Sequence, residues 1–283
     1  MLVGSLVLLA ALSPALAVAG PVMAPGMSTE GLNGSSWYST NWSGYAVTGS
    51  TGSVTYVNGS WTVPTVTAVT GTPTAYSAFW VGIDGFSSNT VEQTGTLSYT
   101  VGGKVQTPYA WYEFYPAAMV EITTGTLGAF KVSSGDEMYA SVTYSSGNTF
   151  TVFINDTTTG NSFSTTGTVN GATRSSAEWI AEAPSSNRGV LPLANFGTVN
   201  FGQDYTSVIG TCDATINGVS DPIGLFSSSA IQTITMATET YNFRTHSYTI
   251  VPKAVPTLLS TDGTSFSVTW ASAGQDAPGF GPF

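Results

Sequence analysis

Residues 80–95 read WVGIDGFSSNTVEQTG and predict two strands joined by a polar turn. An aromatic and β-branched run ends at Asp84, a turn rich in Ser and Asn follows, and the second run carries Glu92 and Gln93. Charged residues make up only 8% of the chain, so two acids and a glutamine in one short unit indicate a polar site. Because side chains alternate along a strand, we expect Gln93 to face this site, together with Asp84, and Glu92 to point the other way.

Outward from this unit, short alternating or aromatic runs recur along the chain, and turn residues separate nearly all of them. The chain has 283 residues, of which 42% are hydrophobic and 12% aromatic, which is enough for a packed core. The sequence has no sustained helical period, heptad repeat, P-loop or dinucleotide fingerprint. These features predict an all-β domain, a sandwich of two packed antiparallel sheets. The predicted strands are 43–47, 54–63, 78–83, 110–115, 138–144, 149–154, 177–181, 198–201, 231–236 and 265–270.

The two ends of the chain differ in composition from the part between them. Residues 1–19 form an apolar run that closes with Ala-x-Ala patterns, which predicts a secretory signal peptide. A membrane anchor is the alternative, but the apolar run is shorter than the roughly 20 residues that a span needs. Residues 20–36 predict a linker or short propeptide, residues 37–272 the folded domain, and residues 273–283 a flexible tail.

The charge balance is acidic and poor in bases. The formal net charge is -10, with six Lys and Arg residues and one His, and the sequence pI is about 4.2. Such a chain is a poor partner for nucleic acid or anionic lipid. Since few positive charges repel one another when every carboxyl is protonated, the fold should survive near pH 3, although a generic secreted surface would have the same composition.

Elimination narrows the chemistry that the chain can carry. His246 is the only histidine, which excludes a multi-histidine metal site, and no nucleophile elbow supports a Ser-His-Asp triad. Cys212 stands alone, so an internal disulfide is excluded, and its surroundings lack the pattern of a cysteine protease. We therefore predict no metal and no cofactor, and the carboxyl groups remain as candidates.

Three further glutamates lie in strand-like segments. Glu113 stands in WYEFYP, and Glu178 and Glu182 stand in AEWIAEAP. Side chains two apart on a strand share a face, so Glu178 and Glu182 share one, which suits an acid-lined cleft better than a core. The alternative is that these acids simply face solvent. Nearby tryptophans indicate a partly desolvated site in which the carboxyl pKa values can rise; they are Trp80, Trp111 and Trp179.

Eight short motifs resemble one known family. They are NWSGYAV at 41–47, GSWTVP at 59–64, WVGIDG at 80–85, EQTG at 92–95, WYEFYP at 111–116, SGDEMYASV at 134–142, AEWIAEAP at 177–184 and FGTVNF at 196–201. In this order and spacing they resemble the glutamic peptidases, also called eqolisins, roughly from Asn41 to Trp270. One motif alone would be weak, whereas eight in order are specific.

This resemblance implies both a fold and a site. The fold is a sandwich of two curved antiparallel sheets, a lectin-like (concanavalin A-like) jelly roll, with the active site in the groove of the concave side. By motif, the catalytic pair is Gln93 of EQTG and Glu178 of AEW. The family's cysteines are absent here, and the turn between Asp84 and Gln93 is one residue shorter than expected, which could alter the cleft rim. The substrate-binding or supporting residues are Trp80, Asp84, Trp111, Glu113 and Glu182.

An amide and a carboxyl suffice for peptide hydrolysis. Glu178 would deprotonate water as a general base and then return the proton to the leaving nitrogen, while Gln93 would stabilise the oxyanion. An ordinary Glu pKa of ~4.3 makes this pairing most suitable for an acidic medium. The expectation is a secreted, extracellular, monomeric acid endopeptidase that acts on polypeptides.

Two other functions fit a lectin-like sandwich. A glycoside hydrolase would place paired glutamates, such as Glu113 with Glu178 or Glu182, on either side of a glycosidic bond. A non-catalytic carbohydrate-binding sandwich would bind without turnover. The motif series favours the peptidase over both.

Overall fold

A computed structural model describes residues 28–30, 35–242 and 244–274. The predicted signal peptide, most of the predicted linker and the last nine residues of the predicted tail lie outside this part. Within the described residues, no helix has the length and apolar character needed to cross a bilayer.

The described residues form strands, with one short 3-10 helix at Ile223–Leu225. The strands are β1 (Ser28–Glu30), β2 (Ser36–Ser39), β3 (Trp42–Thr48), β4 (Val54–Thr62), β5 (Ala75–Ile83), β6 (Val91–Val101), β7 (Lys104–Val105), β8 (Tyr109–Tyr115), β9 (Val120–Glu121), β10 (Thr124–Gly125), β11 (Gly128–Ala129), β12 (Glu137–Tyr144), β13 (Thr149–Asp156), β14 (Asn161–Thr168), β15 (Ser176–Glu182), β16 (Ser185–Ser186), β17 (Gly189–Val190), β18 (Thr198–Gly202), β19 (Asp213–Ile216), β20 (Val219–Pro222), β21 (Ile231–Asn242), β22 (Ser247–Pro256) and β23 (Ser265–Trp270). Every run predicted as a strand lies in one of them, except that Val63 falls just beyond β4.

The N-terminal boundary differs from the prediction. Residues 28–30 and Ser36 were expected in a linker, but β1 pairs antiparallel with β2 from Ser28↔Ser39 to Glu30↔Trp37. A backbone ladder can form without a periodic apolar pattern, because the hydrogen bonds come from the main chain.

The strands form two layers. The first sheet has the order β1-β2-β21-β3-β15-β5-β6-β8-β9. The second has the order β22-β23-β18-β4-β12-β13-β14, with β19 attached to β4 and β20 attached to β19. Among these ladders, β2 with β21 is parallel and the others are antiparallel. The β21–β22 hairpin joins the layers along one edge. This is the predicted all-β sandwich.

A main core fills the space between the sheets. Side chains of β3, β5 and β15 meet side chains of β4, β12, β13, β18 and β23 there. Two tryptophans also donate hydrogen bonds from one sheet to the other: Trp61 Nε1 to Thr96 Oγ1 at 2.9 Å, and Trp179 Nε1 to the Asn58 carbonyl at 2.6 Å.

The opposite surface of the first sheet, called here the cleft face, has a second buried cluster. Its fully buried apolar members come from strands of the first sheet and include Trp42, Trp80, Trp111 and Ile180. Buried polar side chains share this surface, and the strand register determines which ones they are.

Candidate active site

Four neighbouring strands place the predicted catalytic residues in one row. Glu178 of β15 pairs with Gly82 of β5, Gly82 pairs with Gln93 of β6, and Gln93 pairs with Glu113 of β8. Directly paired residues direct their side chains to the same face of a sheet. The row therefore brings Glu178, Gln93 and Glu113 together on the cleft face, although they are far apart in the sequence.

Gly82 lies between the acid and the amide in this row. Two interstrand spacings separate β15 from β6, about 9.6 Å, and long side chains from both strands can extend towards each other over the glycine. A Cβ at Gly82 would lie 2.9 Å from Trp80 Cζ3 and 3.1 Å from Gln93 Cβ, so the glycine is required for close packing. Gly82 was not among the predicted site residues.

Gln93 is oriented by Glu113. Its Nε2 donates a hydrogen bond of 2.8 Å to Glu113 Oε2, while Gln93 Oε1 and Glu113 Oε1 are buried without a hydrogen-bond partner. Burial, and next the negative charge of Glu182, raise the pKa of Glu113 to about 9, against the hydrogen bond from Gln93. Glu113 thus remains a neutral acid at low pH while it holds the amide.

Glu178 is fully buried, and neither carboxyl oxygen has a hydrogen-bond partner. Burial is the main cause that raises its pKa well above the ordinary value, and the charges of Asp84 and Glu92 add to the rise. The Ser176 hydroxyl and the Phe86 backbone amide lie near this carboxyl without completing a hydrogen bond to it, and they oppose the rise in its pKa. An unpartnered carboxyl of this kind can hold or release a proton at the site.

Two more of the predicted site residues lie on the cleft face. Trp80 and Trp111 lie in the next row, in which Ile180 pairs with Trp80, Trp80 with Gly95 and Gly95 with Trp111. Trp80 Nε1 donates a hydrogen bond of 2.8 Å to Glu182 Oε2. These residues form an aromatic floor beside the catalytic row, with Glu182 fixed by Trp80.

Asp84 has a different place from the one expected. Its carboxylate does not face the cleft as a free group but accepts five hydrogen bonds from the turn at 173–175, three from backbone amides and two from hydroxyls. Asp84 also has a φ of 71°, a left-handed conformation that Asp tolerates better than most residues. It anchors the turn that precedes β15 and so supports Glu178 indirectly.

Glu92 points away from the cleft face, as alternation predicts. It pairs with Ile83, a residue of the main core, and both of its carboxyl oxygens are buried without a partner. Burial, followed by the charge of Asp84, raises its pKa to about 9.

The prediction that Trp179 lies beside the acids of the site is wrong, because its indole packs in the main core between the sheets.

Sequence reasoning also missed the residues at one side of the row. Trp37 contacts both Phe86 and Gln232 there. Alternation in β21 gave no sign of Gln232, and the unexpected strand β2 carries Trp37.

The fold is an all-β sandwich, and the candidate site consists of carboxyls and one carboxamide. In the described part of the chain, no three His, Cys, Asp or Glu side chains are placed to hold a metal ion together. The sequence profile described as the Peptidase A4 family matches residues 40–243. A curated relative, aspergillopepsin-2 of Aspergillus niger, is 32% identical over 227 residues, covering 69% of this chain and 77% of the relative.

Two solved structures share the fold. Scytalido-glutamic peptidase with a transition-state analogue inhibitor has a TM-score of 0.60 at 24% identity, covering 82% of this chain and 98% of the other. Aspergilloglutamic peptidase from Aspergillus niger has a TM-score of 0.52 at 24% identity, covering 70% and 99%. The chain belongs to the Peptidase A4 family, the eqolisins, and is a glutamic endopeptidase. The glycoside-hydrolase and carbohydrate-binding alternatives receive no support.

Proposed function

We propose that the protein cleaves polypeptides in an acidic medium with Glu178 and Gln93 acting on the same carbonyl. One observation carries this proposal: the register Glu178↔Gly82↔Gln93, which sets an acid and an amide on one face with a glycine between them. A peptide carbonyl over Gly82 would be within reach of both side chains.

Glu178 would serve in both proton transfers. As a carboxylate it takes a proton from water, whose oxygen attacks the carbonyl carbon and forms the tetrahedral intermediate. As a carboxylic acid it then passes that proton to the leaving nitrogen as the C–N bond breaks. The unpartnered oxygens of Glu178 are free to contact water or substrate in this way.

Gln93 would stabilise the oxyanion without titrating. One hydrogen of its Nε2 is held by Glu113, which leaves the second hydrogen for the oxyanion and Oε1 for the attacking water. The loss of one such donor costs about 10² to 10³ in kcat. Glu113 is a positioning residue in this scheme, and Trp80, Trp111 and Glu182 line the adjoining floor.

The raised pKa of Glu178 changes the pH range in which this side chain can donate a proton. An ordinary carboxyl would donate poorly above a pH of ~4.3, whereas burial extends the proton-donor form of Glu178 to higher pH and makes the carboxylate that takes the proton from water the minor form in acid. The upper pH limit would then come from the fold, since Glu92 and Glu113 ionise with difficulty in their buried positions.

Secretion and a monomeric state belong to the same proposal. The apolar segment at 1–19 and the scarcity of bases support an extracellular enzyme. N-terminal sequencing of the secreted protein before and after acidification tests the signal peptide and shows whether acid triggers removal of a short propeptide. Sedimentation of the secreted protein tests the monomer, and a stable dimer would contradict it.

Paired substitutions test the dyad. We expect Glu178→Gln to lower kcat/KM on casein at pH 3 to 4 by at least about 10³-fold, and Gln93→Ala by about 10²- to 10³-fold. Glu92→Gln is the matched control, because this acid adjoins Gln93 but faces the core, and it should keep nearly full activity. Circular dichroism shows that each variant is folded, and pepstatin should not inhibit the parent enzyme. Full activity of either dyad variant would refute the assignment.

A further inference from the structure

The strand β2 lies outside the matched family region, which begins at residue 40, yet it contributes to the cleft face. It runs parallel to β21, where Trp37 pairs with Ile234. Ile234 belongs to the buried cleft-face cluster, and Trp37 packs against that cluster while part of its ring stays exposed. An aromatic side chain from outside the matched region therefore borders the cleft.

The Trp37 ring is held in a fixed orientation. Its Nε1 donates a hydrogen bond of 2.7 Å to Gln232 Oε1, and Gln232 Nε2 in turn donates one of 2.9 Å to the Ser229 carbonyl. The indole meets Phe86 edge to face, with ring centroids 5.3 Å apart and an interplanar angle of 89°. Phe86 is also partly exposed, so the pair presents apolar surface in a preorganised geometry.

This aromatic pair adjoins the catalytic row. Gln232 pairs with Ala46 and Ala46 pairs with Glu178, so the partner of Trp37 stands in that row, on the side of Glu178 away from Gln93. The backbone amide of Phe86 lies near enough to Glu178 to influence its carboxyl. The small Ala46 side chain lies between Gln232 and Glu178 in this row.

We infer that Trp37 and Phe86 form a substrate subsite that accepts an aromatic or large aliphatic side chain flanking the scissile bond on the Glu178 side. This inference rests on the proposed dyad function. Partly exposed, edge-to-face rings favour apolar and aromatic partners. The subsite would set side-chain preference without touching the reacting atoms.

A cleavage profile tests the inference. A peptide library is digested at pH 4 by the parent enzyme, by Trp37→Ala, by Phe86→Ala and by the control Tyr38→Ala, and the cut sites are read by mass spectrometry. Tyr38 is the matched control because it lies next to Trp37 on β2 and alternation directs it to the other face. We expect the two subsite variants to lose about threefold to tenfold in kcat/KM for peptides with an aromatic flanking residue. Peptides with Ala at that position should be unaffected, and Tyr38→Ala should match the parent.

A binding arm separates this inference from the proposed function. Glu178→Gln, with and without Trp37→Ala, is titrated with matched peptides that carry Phe or Ala at the flanking position. Stronger binding of the Phe peptide that is lost with Trp37→Ala supports the subsite even if the parent enzyme fails to cleave, which would defeat only the dyad proposal. Parent-like cleavage profiles in both subsite variants, together with a binding ratio that Trp37→Ala leaves unchanged, would overturn the inference. An active secreted enzyme whose N-terminus lies beyond Trp37 would also overturn it.

Discussion

Asp84 and Glu178 are both fully buried carboxyls, and their charges interact, but they have opposite surroundings. Five donors from the turn at 173–175 surround Asp84, whereas both oxygens of Glu178 lack a hydrogen-bond partner. A carboxylate that is saturated with hydrogen bonds has a structural role, while one left unsatisfied on the cleft face retains the capacity for chemistry. Burial alone would have grouped the two residues together.

The largest expected effect follows from removing the saturated acid. Asp84→Ala leaves three backbone amides without an acceptor and places Ala at a φ of 71°, so we expect the free energy of unfolding to fall by at least about 3 kcal/mol. Urea denaturation at pH 4 measures the loss. Asp84→Asn keeps an acceptor and should lose less. An Asp84→Ala protein as stable as the parent would show that these hydrogen bonds do not secure the turn.

A second substitution adds a methyl group between Glu178 and Gln93. Gly82→Ala introduces a methyl group 2.9 Å from Trp80 Cζ3 and 3.1 Å from Gln93 Cβ, which displaces the amide. We expect kcat/KM to fall by about tenfold to a hundredfold, since a misplacement near 1 Å costs that much. Thermal unfolding shows whether the variant is folded under assay conditions. Parent-like kinetics would mean that the space over Gly82 is not used.

The buried acids Glu92 and Glu113 predict how the stability of the fold depends on pH. Burial raises the pKa values of Glu92 and Glu113 from 4.5 to about 9. Because the folded state holds these protons more tightly than the unfolded state, their stabilising contribution is full below pH 4.5 and is lost as the pH rises towards 9. The melting temperature should therefore be highest in acid and fall through neutrality. Glu92→Gln should flatten this fall, and a melting temperature independent of pH from 4 to 8 would contradict the buried state of both acids.

Much of the fold could be predicted from the sequence because the strands of a sandwich have a recognisable local residue pattern. Alternating and aromatic runs such as Ala78–Ile83 and Ala110–Tyr115 mark strands with one face in a core. Two strands, β22 and β14, were not predicted. Pro252 and Pro256 interrupt the strand-like pattern of β22, and the polar residues of β14 are mostly half-exposed or exposed. Backbone pairing, which has no local signature, determines such strands.

The site could be predicted only in part, for a related reason. Motifs indicated Gln93 and Glu178 as the candidate pair, and alternation along the strand predicted that Glu92 points away from them. The roles of Asp84, Trp179 and Gly82 depend on which strand pairs with which and in what register, and a single sequence does not carry that information. Trp37 was missed because the strand that carries it, β2, was not among the predicted strands.

The most direct measurement of the central claim is a double-mutant cycle on kcat/KM at pH 4 with Gln93→Ala, Glu178→Gln and the double variant. If both groups act on one carbonyl in a single step, the double variant should be within about threefold of Glu178→Gln alone, since residues that work as a unit are not additive. Losses that multiply in full, with all three variants folded, would contradict the account and show that Gln93 and Glu178 act independently.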